Sequence, residues 1–182
     1  DAILVGYLGS LAAVKAAGEI IDRLLAPGGV AIVDPAMADN GKLYSGFDED
    51  YVRAIGSLAG KADIILPNVT EAAILSGLPY QENIDRNYVN QLLNGLNHPC
   101  AVLTGVDFDE DSTGIVLQEG TVQHEYRHKR IGNGCHGTGD IFAAVFTGAL
   151  MQGKNRLDAA KIAADFTCRC IKNTVNAPAH WY

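Results

Sequence analysis

Basic residues are scarce in this sequence: 14 Lys and Arg stand against 21 Asp and Glu, a net charge of −7. Nucleic-acid binding depends on clustered cations that displace counterions, so that class of partner is excluded. The one cationic cluster, Arg127, Lys129 and Arg130, suits either a solvated strand end or a grip on phosphate. Long apolar runs are missing as well. None reaches the ~18 residues of a membrane span, and no charged-then-apolar leader opens the chain. No membrane partner is therefore expected. Cysteine is sparse, with four in 182 residues and no metal-ligand spacing. Cys168 and Cys170, two apart on an expected helix, point to different sides and cannot bridge. Cys135-His136 is a poor nucleophile pair, because adjacent side chains seldom face one another. This usage fits a reducing cytoplasm. There is no low-complexity tract, linker or internal repeat, which leaves one α/β domain over residues 1–182. At 48% hydrophobic and 19% charged, the chain has globular composition.

What is present is concentrated in Gly132-Asn133-Gly134-Cys135-His136-Gly137-Thr138-Gly139-Asp140, which opens an apolar helix. Glycines let backbone amides converge on an anion, and the helix adds the positive end of its dipole. A carboxylate in such a turn repels a phosphate. It makes sense if Asp140 removes a proton from whatever attacks that phosphate. A plain strand-to-helix connection with Asp140 as a first-turn helix acid accounts for the same residues. Gly132, Gly134 and Gly137 also spell the dinucleotide fingerprint, but no strand follows to carry its acid. A Walker-type phosphate loop is absent.

The remaining pattern alternates strand and helix. Asp1–Leu8 reads as a buried strand, and Ser10 caps a helix to about Leu25 that Pro27-Gly28-Gly29 stops. Residues 30–34 and 62–66 read as short buried strands, the second ended by Pro67. Helices are expected over 48–58, 70–76 and 87–96, then a strand over 100–104. Residues 113–117 and 121–126 flank Glu119-Gly120 as a β-hairpin. Helices over 137–151 and 156–175 close the chain. This order implies a three-layer αβα sandwich on a mostly parallel sheet, where ligands bind beyond the carboxyl ends of the strands.

Polar residues collect at those ends. Asp34 ends one strand, with Asp39, Asn40 and Tyr44 after it. Asn68 and Glu71 follow another, and Thr104 with Gly105 a third. With Asp140 they supply oxygen ligands suited to hydrated Mg²⁺ and nucleotide phosphates. Each also has a local reading: Asn68 or Thr70 as a helix cap, Asp34 before proline as turn chemistry, Asp39-Asn40-Gly41 as a plain turn.

Four segments resemble pyridoxal kinases of the ribokinase superfamily, in family order along nearly the whole chain. They are Gly6-Tyr7-Leu8-Gly9-Ser10, residues 34–44 (DPAMADNGKLY), residues 62–71 (ADIILPNVTE) and residues 137–144 (GTGDIFAA). The resemblance implies a ribokinase-like fold and ATP-dependent phosphorylation of the 5′-hydroxymethyl group of pyridoxal, pyridoxine or pyridoxamine. Asp140 would be the base, and Gly137, Thr138 and Gly139 the anion hole. Asp34 and Glu71 would act on the Mg²⁺ side, directly or through water, beside a possible monovalent cation. Asp39 and Tyr44 would lie near the ATP phosphates and substrate, while Asn68, Thr104 and Gly105 would position the nucleotide. Such kinases are commonly homodimers, and the apolar edge Ala2–Val5 invites association.

The sequence departs from the family in three ways. It begins where the family fold is already under way, so the N-terminal strands, the lid and most of the vitamer pocket are expected to lie outside this chain. Leu66 stands where the family usually has Thr, and Ala38 replaces a Gly. Sister hydroxymethylpyrimidine kinases share the His-Gly-Thr-Gly turn but typically carry Cys at the position of Asp140. Hydroxymethylpyrimidine kinase, or another small-alcohol kinase, is therefore the enzymatic alternative. A non-catalytic vitamer- or nucleotide-binding regulator is the other class, although a pure binder gains nothing from a carboxylate beside a phosphate.

Overall fold

A computed structural model describes residues 1–131 and 137–174. Its centre is a six-stranded sheet built from runs of apolar residues. The strands are β1 (Ala2–Val5), β2 (Val30–Val33), β5 (Ile64–Ile65), β6 (Cys100–Asp107), β7 (Ser112–Glu119) and β8 (Val122–Lys129), in the spatial order β1-β2-β5-β6-β7-β8. The first four run parallel, and β7 and β8 append an antiparallel meander. The sheet is thus mixed and mostly parallel, as expected. All four parallel strands deliver their carboxyl ends to one edge.

Alternation along the strands divides the core in two. Ala31, Val33, Ile65, Ala101 and Leu103 face helices α1 (Leu11–Leu24), α2 (Glu49–Ala59), α3 (Val69–Ser76) and α4 (Arg86–Leu96). Ile32, Ile64, Val102, Ile115 and Leu117 face α5 (Thr138–Met151) and α6 (Arg156–Thr174). Strands apolar on both faces need helices on both faces, and the result is the three-layer sandwich. Side-chain caps set the helix starts. Ser10, Asp48, Asn68 and Asp85 each accept a backbone N–H from the first turn of α1, α2, α3 and α4.

The differences from the sequence reading are local. The first strand stops at Val5, because Gly6 to Ser10 forms the loop into α1. The expected hairpin is longer at both ends, pairing Ser112 with Lys129 and Glu119 with Val122. The strand expected over 100–104 continues to Asp107 through an irregularity at Gly105, whose φ of +65° suits glycine. Asp39-Asn40-Gly41, read as a plain turn, belongs to a small antiparallel hairpin of β3 (Ala38–Asp39) and β4 (Lys42–Leu43). Asn40 and Gly41 both have positive φ, 50° and 74°, as the tightest hairpin turns require. Residue 175, expected in the last helix, lies outside the described residues, as do Gly132 to His136.

The sheet edges are handled differently. β1 is an edge strand paired only with β2, and Leu4 on it is 37% exposed. β8, at the other edge, places His124, Arg127 and Lys129 along its length, and such charged side chains discourage edge pairing. Among the described residues, no helix is long and apolar enough to cross a membrane.

Phe146 is fully buried on α5, with Phe142 stacked 6.1 Å away. Phe146→Ala is expected to lower unfolding free energy by about 3–5 kcal/mol in urea denaturation. Val122→Ala, on the exposed edge, is expected to change it by less than about 0.5 kcal/mol.

Candidate functional site

The carboxyl edge of the sheet opens into a cleft of about 770 Å³. Every residue assigned a site role from the sequence lines it: Asp34, Asp39, Tyr44, Asn68, Glu71, Thr104, Gly105, Gly137, Thr138, Gly139 and Asp140. They come from five separate stretches of chain, and the parallel strands explain the meeting. Asp34 follows β2, Asn68 follows β5, Thr104 and Gly105 sit in β6, and Asp140 is in the first turn of α5.

Gly137 caps α5 with φ of +78° and has no side chain to offer the helix amides. The first turn of α5 therefore carries the positive end of the dipole without a side-chain cap from that position. Asp140 is exposed to the cleft. A Cβ at Gly139 would lie 3.7 Å from Asp34 Oδ2, and one at Gly6 would lie 3.7 Å from Asp140 Oδ1. Both glycines therefore leave the carboxylates uncovered. The end of β1 and the start of α5 thus approach each other across this acidic pair.

Asp34 is 8% exposed. Its amide donates to Val5 O at 2.8 Å, but no hydrogen bond among the described residues engages its carboxylate. Burial and then the charge of Asp140 push its pKa to about 7. Among the described residues no three His, Cys, Asp or Glu side chains gather as a ready-made metal cage. Asp34 could thus serve as one ligand of a divalent cation whose shell is completed by phosphate and water, and such a cation would offset the burial cost of the carboxylate charge. A site with few protein carboxylates suits Mg²⁺, which keeps several waters and takes one or two carboxylates from the protein.

Glu71 is placed differently from Asp34. It is 2% exposed, and its oxygens accept backbone amides: Oε1 from Met37 at 3.0 Å and Ala38 at 3.5 Å, Oε2 from Asn68 at 2.9 Å. The Glu71 N–H in turn donates to Asn68 Oδ1, completing a capping box, and Asn68 Nδ2 donates to Ala38 O at 2.8 Å. Gly41 N–H donates to Thr70 Oγ1 at 3.0 Å. The start of α3 thus ties down the β3–β4 hairpin, which carries Asp39 and leads to Tyr44. Burial and the nearby Asp34 push Glu71 up to about 8 against the opposing pull of those amides. Tyr44 is 40% exposed. Partial burial and then the charges of Glu71, Asp39, Asp34 and Asp140 raise its phenol.

Thr104 donates its amide to Pro67 O at 2.9 Å, which joins the loops after β5 and β6. Leu66, in place of a family Thr, is 3% exposed and packs with the α5–α6 side of the core while lining the cleft. Further lining residues carried no assignment from the sequence. Tyr7 borders an aromatic cluster in which Phe47 stacks on Tyr51 at 3.7 Å. Thr167 Oγ1 is buried without a hydrogen-bond partner among the described residues. Cys168 Sγ lies 3.1 Å from His128 Nδ1. Asp107 pairs with Arg130 at 2.7 Å. Tyr7 stands in the segment over residues 6–10 and Arg130 in the cationic cluster, the two signals in the sequence that pointed towards these residues. Of that cluster Arg130 alone is among the lining residues.

The phosphomethylpyrimidine kinase family matches residues 1–180. A hydroxymethylpyrimidine/phosphomethylpyrimidine kinase of Bacillus subtilis is 29% identical over 146 residues, covering 79% of this chain and 54% of that protein. The crystal structure of pyridoxal kinase from Lactobacillus plantarum superposes with a TM-score of 0.83 at 32% identity, over 96% of this chain and 63% of that one. Pyridoxal kinase from Staphylococcus aureus, in complex with AMP-PCP, gives 0.84 at 26% identity, over 98% and 65%. The chain spans less than two thirds of the length of the curated relatives it matches.

The raised acid Asp34 yields a pH test. Its neutral form is favoured in the folded chain, so the stability it contributes is complete below the unfolded pKa near 4 and is lost as pH rises towards about 7. Asp34→Asn is expected to be more stable than the parent at pH 8 by about 2–4 kcal/mol, and to gain far less at pH 4. Urea unfolding at both pH values measures the gap; a gap that does not change with pH contradicts the placement.

Proposed function

This chain belongs to the phosphomethylpyrimidine kinase family, and on that premise we propose that it forms the nucleotide-binding and catalytic portion of an ATP-dependent kinase for the 5′-hydroxymethyl group of a B6 vitamer. The observation that carries this reading is the convergence of an uncapped glycine turn, a buried acid and an exposed acid at one rim of the cleft.

The γ-phosphoryl group of ATP lies against the amides of Gly137, Thr138 and Gly139. The hydroxymethyl oxygen of the substrate attacks phosphorus as the β–γ bridging P–O bond breaks, ADP leaves, and the hydroxyl proton passes to Asp140. An aspartate is a weak base for an alcohol. In a loose phosphoryl-transfer transition state, however, the nucleophile is barely bonded and its proton leaves late. Stabilising charge on the transferring oxygens is then the larger task, and the turn is built for it. When bound, Mg²⁺ neutralises charge on the nucleotide phosphates. Asp34 and Glu71 would act on its side, directly or through water, and Glu71 also grips the backbone of residues 37 and 38. Asp39 and Tyr44 flank the phosphates and substrate, and Asn68, Thr104 and Gly105 position the nucleotide.

Asp140 also bears on substrate choice. The family and the Bacillus subtilis relative bring hydroxymethylpyrimidine forward as the alternative substrate. It presents the same chemistry, a primary alcohol on a heteroaromatic ring, so the mechanism is unchanged. The acid at position 140 favours the vitamer, because the pyridoxal kinases resembled in the Gly-Thr-Gly-Asp turn carry it there.

Asp140→Asn in the full-length protein is expected to keep MgATP affinity within about threefold and to lower kcat by about 10²–10⁴, the range of a general base. Near-native turnover contradicts the assignment of Asp140 as base.

A further inference from the structure

The charge around the cleft is lopsided. Among the described lining residues, Asp34, Asp39, Glu71, Asp107 and Asp140 face a single Lys or Arg side chain, Arg130. A nucleoside triphosphate brings about four more negative charges. One divalent cation does not balance that load.

We infer that Arg130 grips the polyphosphate of the nucleotide, and that Asp107 holds it in place until the nucleotide arrives. This rests on the kinase reading above. Arg130 follows directly on β8, where its amide donates to Asp111 O at 2.8 Å and fixes the backbone at the rim. Its Nη2 lies 2.7 Å from Asp107 Oδ1, at the end of β6, so the pair spans the intervening strand β7. Both side chains are 41% exposed. An ion pair this open contributes little to stability, so exchanging the carboxylate for a phosphate costs little. A guanidinium also suits the exchange, because its planar fork matches carboxylate and phosphate oxygens alike.

Its neighbours are already engaged elsewhere. Arg127 pairs with Glu125 at 2.8 Å and covers the Phe108 ring at 4.0 Å, and neither it nor Lys129 lines the cleft. Asp107 thus has a role that a purely structural bridge lacks. It competes with the nucleotide for Arg130, so its removal and the removal of Arg130 push affinity in opposite directions.

Binding of MgATP, and of adenosine as a phosphate-free probe, is measured by calorimetry on the full-length protein. Arg130→Ala is expected to weaken MgATP about 10- to 100-fold, as for loss of charge-assisted hydrogen bonds, with adenosine changed less than about twofold. Arg130→Lys recovers part of the loss. Asp107→Asn is expected to tighten MgATP about two- to fivefold at low ionic strength, an advantage that salt erodes. Equal losses for MgATP and adenosine overturn the assignment. So does a loss in Asp107→Asn matching that of Arg130→Ala, which makes the pair a structural bridge. Unchanged MgATP binding by Arg130→Ala in an active kinase overturns this assignment alone. A wild-type protein that binds no nucleotide overturns the kinase reading and this assignment with it.

Discussion

Burial of the Asp34 carboxylate, with Asp140 nearby, is the constraint around which the rest of the cleft is arranged. Among the described residues no Lys or Arg is paired with Asp34, which is nearly buried. A fold tolerates such an arrangement only if the remaining structure holds both groups in position. Here the hydrogen bond from Asp34 N–H to Val5 O secures one, and the first turn of α5 secures the other. Glycine at 6 and 139 keeps the space around both oxygens open. On the proposed reading, a cation arriving with an anionic ligand would offset the cost of that burial.

The fold was largely legible because its strands are apolar on both faces. Runs such as VAIV at 30–33 leave a sequence few ways to hide them other than between two helical layers, and capping residues Ser10, Asp48 and Asn68 mark where the helices begin. Strand ends were less legible. The hairpin over 112–129 outran its expected bounds because exposed edge residues such as Gln123 and Arg127 carry no apolar period. The β3–β4 hairpin was missed because its strands are two residues long, too short for alternation to register, although Asn40-Gly41 is a strong turn signal.

The site was legible residue by residue but not in its connections. The eleven assigned residues do line one cleft, since parallel topology sends every strand end the same way. What sequence spacing conceals is which groups are already occupied. Glu71 fits a capping box three residues after Asn68, and that much is local. Its bonds to Met37 and Ala38 cross more than thirty residues and exist only once α3 packs beside the small hairpin. Asp107 and Arg130 are hidden for the same reason: they meet across a strand, and no sequence period connects them.

The most direct test of the central claim is mass-spectrometric detection of phosphorylated product from MgATP and the full-length protein. Pyridoxal, pyridoxine, pyridoxamine, hydroxymethylpyrimidine and ribose are offered in parallel. The account predicts a monophosphate from the B6 vitamers, with ADP formed in equal amount. Product from hydroxymethylpyrimidine alone would keep the mechanism and change the substrate. No product from any alcohol, with ATP still bound, would contradict the account.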